Sequence, residues 1–179
     1  MKKALVLCST ALCLAASNAF AQRARNDGAI ELGVDAGITF GLDDPNLTVI
    51  AIPVQSFRLG YFVSDKLELE PRFLVNSLHV GGGGGTLTTY SFEIGALFLP
   101  SGDRVGHGLY IRPFGGFAGV SASGIASDSN GFLGAGVGLK IPFADRRLAT
   151  RMEANYAHSF GDGGTNQIGL LVGLSFFTR

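Results

Sequence analysis

The residue best suited to chemistry is His158, in "NYAHSFGDGGTN" (155–166). An imidazole beside a hydroxyl can act as base and nucleophile, and Ser159 follows it directly. Adjacent residues of a strand face opposite sides, however, so the two do not readily form a hydrogen-bonded pair. A histidine at a membrane interface is the better account of the residue. His79 and His107 are remote from His158 and share no ligand spacing with it, so no zinc site is expected. "GGGGG" (81–85) lacks the Gly-Lys-Ser/Thr ending and the helix of a phosphate loop. "GAGVGLK" (134–140) lies within a strand pattern and lacks the dinucleotide spacing. "GLDDPN" (41–46) offers too few ligands for a calcium cage and reads as a turn. The sequence therefore predicts no catalytic, cofactor-binding or metal residue, no cofactor, and a protein that is not an enzyme.

The elements that would position such residues are strands. In "ELGVDAGITFG" (31–41), Leu32, Val34, Ala36, Ile38 and Phe40 alternate with Glu31, Gly33, Asp35, Gly37 and Thr39. A period of two makes a strand with two unlike faces. The pattern recurs in "KLELEPRFLVN", "TYSFEIGALF", "GFLGAGVGLKI", "TRMEANYAH" and "QIGLLVGLSF", and more roughly in "SFRLGYF" and "LYIRPFGGFAG". "TVIAIPVQ" precedes "SFRLGYF" and contains Pro53, which cannot donate to a ladder, so a bulge or register change is expected there. This gives eight strands of about ten residues. The connectors "GLDDPN", "HVGGGGGT", "SASGIASDSN" and "GDGGTN" are polar and glycine-rich, as surface loops are.

Composition narrows the class. Lys2 and Lys3, the apolar run Ala4–Ala16 and "AFA" at 19–21 predict a signal peptide over residues 1–21, cut after Ala21. Neither Cys8 nor Cys13 follows the small residue that a lipoprotein cut requires, and both precede the expected cleavage point. The chain carries 14 basic and 14 acidic residues and no basic stripe, so no nucleic-acid partner is expected. Residues 22–179 form one domain, with no apolar run long enough for a membrane helix.

Eight two-faced strands with no helix to cover them either stack as two sheets or close with the apolar face in lipid. Glycine decides between these. On the wet face of a sandwich it would weaken each strand without benefit. In the narrow interior of an eight-stranded barrel it makes room for long polar chains. The reading is an all-β fold: an eight-stranded, antiparallel, up-and-down transmembrane β-barrel. Strand parity places Glu31, Asp35, Glu68, Glu70, Glu93 and Glu153 in the lumen with Arg58, Arg72, Arg112, Lys140 and Arg151. Such near-balance is what a poorly hydrated polar core requires.

The chain over residues 29–178 resembles the small OmpA-type outer-membrane β-barrels of Gram-negative bacteria, above all in its end, "IGLLVGLSFFTR". Gly173 and Phe176 match the glycine and first aromatic of the closing strand that the family's barrel-assembly machinery reads; Phe177, Thr178 and Arg179 then depart from it. No peptidoglycan-binding domain is expected after the barrel. The resemblance implies the bacterial outer membrane as location. It implies outer-membrane lipids including lipopolysaccharide as surroundings, the assembly machinery as a transient partner, and a monomer. OmpW-like and lipid A deacylase-like barrels are more distant likenesses. The deacylases carry a His-x-Ser-Asn motif, whereas Ser159 is adjacent to His158 and no asparagine follows. Three functional classes follow: a structural or surface-interaction barrel with a lumen filled by paired charges, a narrow transporter for small solutes, and a lipid A-modifying hydrolase. The first is favoured, because the connectors are short and the lumen is filled.

An even strand count after a cleaved leader puts both chain ends in the periplasm and residues 42–47, 79–87, 121–130 and 161–166 outside. In intact cells, an impermeant maleimide should label a cysteine at Ser127 and spare one at Asp145. The reverse result would invert the topology.

Overall fold

The computed structural model describes residues 28–43, 48–51, 56–79, 85–100, 107–122, 125–143, 147–161 and 164–178. The expected leader and its cleavage point lie outside the described residues, as do Pro53 and most of the glycine run at 81–85. Among the described residues there is no helix. There are nine strand segments: β1 (Ile30–Gly41), β2 (Thr48–Ala51), β3 (Ser56–Ser64), β4 (Leu67–His79), β5 (Thr86–Phe98), β6 (Gly108–Ala122), β7 (Ile125–Phe143), β8 (Leu148–Ser159) and β9 (Asn166–Phe177).

β2 and β3 both pair with β1 and are two pieces of one wall strand. The wall therefore has eight strands, each antiparallel to its neighbours. β9 returns to β1 over the full run from Glu31↔Phe177 to Gly41↔Gln167, which closes the barrel. Val34 pairs with Phe57 but Gly37 with Ala51, so three steps along β1 match six along its partner. The register thus changes across the segment containing Pro53, as the missing donor predicted. Pro113 causes no such shift and lies in register opposite Ala135.

One expected connector is mostly strand. The small polar residues of "SASGIASDSN" (121–130) suit a loop, yet β6 runs to Ala122 and β7 starts at Ile125. The hairpin persists because the two strands pair with each other up to Ala122↔Ile125, with one irregularity after Val120. His79, Thr86 and Leu87 likewise belong to strands rather than to the connector 79–87. At the loop end of the barrel, β4 to β7 consequently rise above β8, whose pairing with β7 stops at Phe132↔Ser159.

Burial is inverted relative to a water-soluble sheet. Leu109, Leu133, Val137, Val172 and Phe73 point outward and are exposed, while Arg58, Arg112, Glu31, Glu68 and Glu70 are fully buried. Lipid accepts the first set, and the closed wall hides the second. At the end that holds the chain termini, Ala29, Phe62, Leu97, Leu99, Tyr110, Ala149 and Phe177 form an apolar cluster inside the barrel. Phe176 faces outward and Phe177 inward, so the departure from the family's closing pattern supplies a lumen plug. Thr178 continues the closure: its N–H donates to the Ile30 carbonyl at 3.0 Å, and its hydroxyl accepts from Ile30 N–H at 3.1 Å.

Glycines stand across the ladder from long lumen side chains: Gly60 from Glu31, Gly33 from Arg58, Gly136 from Arg112, Gly138 from Glu153 and Gly173 from Arg151. The space that each leaves is filled. A Cβ at Gly33 would overlap the Arg58 guanidinium, one at Gly138 the Tyr110 ring, and one at Gly136 would come within 2.9 Å of Glu153 Oε1. Glycine is there so that charged chains can lie flat against the neighbouring strand.

Gly116 is the strictest case, because an added Cβ would overlap the backbone of Phe92 and Glu93 rather than a movable side chain. Gly116→Ala should therefore cost about 1–3 kcal/mol through displaced backbone. At Gly131 the nearest atom to an added Cβ is 3.8 Å away, and Gly131→Ala should cost little. Thermal unfolding in detergent, read by the gel shift of the folded barrel, compares the two; equal losses would refute the packing account.

Candidate functional site

The lumen brings together all eleven charged residues that strand parity placed there. Each strand contributes alternate side chains, and the closed wall turns them toward one axis. Just above the apolar plug, Lys140 Nζ donates to Glu31 at 2.5 Å and to Glu68 at 2.7 Å. The rings of Phe62, Tyr110 and Phe177 surround the same ammonium at 5.6, 5.8 and 5.9 Å. Such aromatic faces attract a cation.

The next layer centres on Arg58 and Arg151. Arg58 pairs with Glu31 at 2.7 Å, with Asp35 at 3.3 Å and with Glu70 at 3.4 Å. Ser175 donates to Glu31 at 2.6 Å. Arg151 pairs with Glu70 and, at 2.5 Å, with Glu153. Tyr110 joins this layer through its hydroxyl, which donates to Glu153 at 2.8 Å and accepts from Arg151 Nε at 2.6 Å. Sequence reasoning missed Tyr110, although its place one step from Leu109 and Ile111 and in phase with Arg112 was the available signal.

Arg112 and Arg72 complete the network. Arg112 pairs with Glu153 at 2.7 Å and with Glu93, and its guanidinium lies 4.3 Å from the Phe114 ring centroid. Arg72 reaches Glu70 at 2.9 Å, Glu153 at 3.5 Å and Glu93 at 3.7 Å. Glu31, Glu68 and Glu70 bring ligand atoms within 4.8 Å of one another, a proximity the sequence did not show. Here Lys140, Arg58 and Arg151 are bonded to them. The arrangement neutralises and fills the barrel's inner half.

Above the network is a cavity of about 560 Å³ that reaches toward the loop end. Arg72 and Glu93 form its floor, and its walls carry Ser, Thr, Asn and Gln side chains with Leu74, Phe114, Phe132 and Leu171; Asp128 on β7 is an exposed carboxylate in the same lining. Ser159 lines this cavity and exchanges a 2.8 Å hydrogen bond with the Thr165 hydroxyl. His158 belongs to a different cluster: its Nδ1 is 2.9 Å from Asn166 Oδ1, and its ring packs edge-on against Phe160. The neighbours are thus divided between two environments, as strand alternation requires. Asn166 also donates through its backbone and side-chain amides to Asp43, at 2.5 and 3.1 Å, tying β9 to the end of β1. These bonds hold the Asp43 carboxyl below its usual range. His107 lies instead at the opposite end, edge-on to Phe177.

The ion pairs rank the bases by what their loss would strand. Among the described residues, Lys140 is the only base paired with Glu68, whose Oε1 lacks a hydrogen bond there. Every acid that Arg72 touches has another arginine, so its removal does not strand Glu70. Lys140→Met should cost about 3–5 kcal/mol, the usual penalty for breaking a buried pair, and Arg72→Ala clearly less. Unfolding titrations in urea with lipid vesicles decide the order; a larger loss from Arg72→Ala would contradict the network.

The comparisons agree with this geometry. The family model for the outer membrane protein beta-barrel domain matches residues 6–176. No curated protein matches the chain. Among solved structures, the chain is similar to the N-terminal β-barrel domain of Pseudomonas aeruginosa OprF, with 18% identity and a TM-score of 0.50 over 84% of this chain and 98% of that one. It is also similar to Ail, the attachment invasion locus protein of Yersinia pestis, with 19% identity and a TM-score of 0.43 over 84% and 99%. OprG of Pseudomonas aeruginosa shares 10% identity with a TM-score of 0.46 over 85% and 96%. An inverted closed barrel, a charge-filled lumen and a family match over nearly the whole chain lead to one assignment: the chain belongs to the outer membrane protein beta-barrel domain family.

Proposed function

We propose that the protein is a non-conducting structural barrel of the bacterial outer membrane that offers its loop end, above all the raised β6–β7 hairpin, as an interaction surface outside the cell. The observation that carries this reading is the filled lumen. Each of the six lumen acids is paired with at least one lumen base, and the apolar cluster around Phe62 and Phe177 closes the lumen beneath them. An ion crossing the barrel would have to break several buried charge pairs at once, each costly to separate. Lipopolysaccharide and other outer-membrane lipids surround the exposed apolar belt, the assembly machinery inserts the chain, and it acts as a monomer. His158 has no catalytic part in this reading, since its partner is Asn166 and Ser159 bonds elsewhere.

Reconstitution in planar bilayers tests the proposal. The wild type should show no steady conductance at moderate voltage. Porin-sized steps would mean that water threads the charge network, and a transport role would then replace the structural one.

A further inference from the structure

The cavity above the charge network has features that a merely structural barrel does not need. In the closed order of wall strands, β6 stands across from β1, and β7 across from the strand made of β2 and β3. Phe114 on β6 and Phe132 on β7 meet at 6.3 Å and make an aromatic wall. Facing it are Thr39 on β1 and Ser56 on β3, with Ser91 to one side on β5. None of these three hydroxyls has a hydrogen bond to another described residue. The two rings meet edge-on, with planes at 64°, so one side of the cavity presents aromatic surface and the opposite side carries open hydroxyl groups beside Leu74 and Leu171.

The floor adds a donor and an acceptor. Arg72 and Glu93 are the most open of the lumen bases and acids, with side chains 9% and 15% exposed against 0–2% for the rest. They lie 3.7 Å apart, so a molecule reaching them meets a guanidinium and a carboxylate that already balance each other. A free anion or cation gains little from a floor of zero net charge, and the further carboxylate of the cavity, Asp128, is exposed and screened by solvent. A neutral molecule with hydroxyls that both donate and accept can bond to both groups. The volume is within the ordinary range for small-molecule sites.

From this juxtaposition we propose that the cavity is a binding site for a small neutral sugar entering from the loop end. The C–H face of the sugar ring stacks on Phe132, with the edge of Phe114, whose ring already carries the Arg112 guanidinium, bounding it. Its hydroxyl edge turns to Thr39, Ser56 and Ser91, and its deepest hydroxyls reach Arg72 and Glu93. The site goes beyond the structural role and does not depend on it, because binding within the cavity is read separately from conductance.

The experiment is a titration of the full barrel in phospholipid nanodiscs, followed by the NMR side-chain amide signals of Asn155 and Gln167, which line the same cavity. Glucose is the probe, with choline and gluconate as the cationic and anionic controls. Glucose should shift both signals saturably in the millimolar range, while the controls should not. Phe132→Ala should weaken the response by about tenfold through lost ring stacking, and Phe132→Tyr should restore it. The heat-dependent gel shift confirms that each variant is folded. No saturable shift with glucose, equal shifts with the charged controls, or an unchanged response in folded Phe132→Ala would each overturn the proposal.

Discussion

Charges removed from water have to be met by other charges, and in this barrel that requirement runs through the whole structure. Glu70 accepts from Arg72 on its own strand, β4, from Arg58 on β3 and from Arg151 on β8. Glu153 on β8 is held from β4 and β6 as well as by its strand neighbour Arg151. No single hairpin can satisfy these groups. Pairs such as Arg151–Glu70, Arg112–Glu153 and Lys140–Glu31 form only once the wall has closed, so the polar interior ties together strands that are far apart in sequence. A buried pair is costly to break even where it adds little to stability, because the group left behind stays uncompensated.

The glycines follow from the same requirement. An eight-stranded barrel leaves an interior just wide enough for side chains. Arginine and glutamate chains in that space must lie along the wall, over positions with no Cβ. Gly33 beneath Arg58 and Gly136 beside Glu153 are examples. The cost of glycine in a strand is the lost side-chain packing and the extra chain entropy. It is offset here by letting the charges reach their partners.

The two ends of the lumen are built differently. At the terminal end, Phe62, Tyr110 and Phe177 cap the network and face the Lys140 ammonium. At the loop end, the buried charges thin out to the Arg72–Glu93 floor, and a cavity opens that is lined mainly by uncharged groups, with Asp128 exposed among them. The barrel is thus closed on one side and cupped on the other. This asymmetry directs attention to the loop end for function, whereas the family assignment alone concerns the wall.

Much of the fold was legible without coordinates because a strand's faces alternate with a period of two, and the outward face must suit lipid. That rule placed Arg112, Lys140 and Glu153 inside and Leu109, Val137 and Met152 outside, and the glycine-rich polar face distinguished a barrel from a sandwich. The register change around Pro53 followed from a missing donor. Parity could not show where a connector ends: the small polar residues of 121–130 suit a loop and an extended hairpin equally, and pairing between β6 and β7 settles the matter. Nor could it show that Phe177, which it turns inward, packs with Phe62 as a plug, that Tyr110 joins Glu153 to Arg151, or that Lys140 alone among the described bases holds Glu68. Those depend on shear and closure, which bring together side chains from strands as distant as β1 and β7. Sequence period determines which face a residue takes, and only the closed barrel decides which residues meet across it.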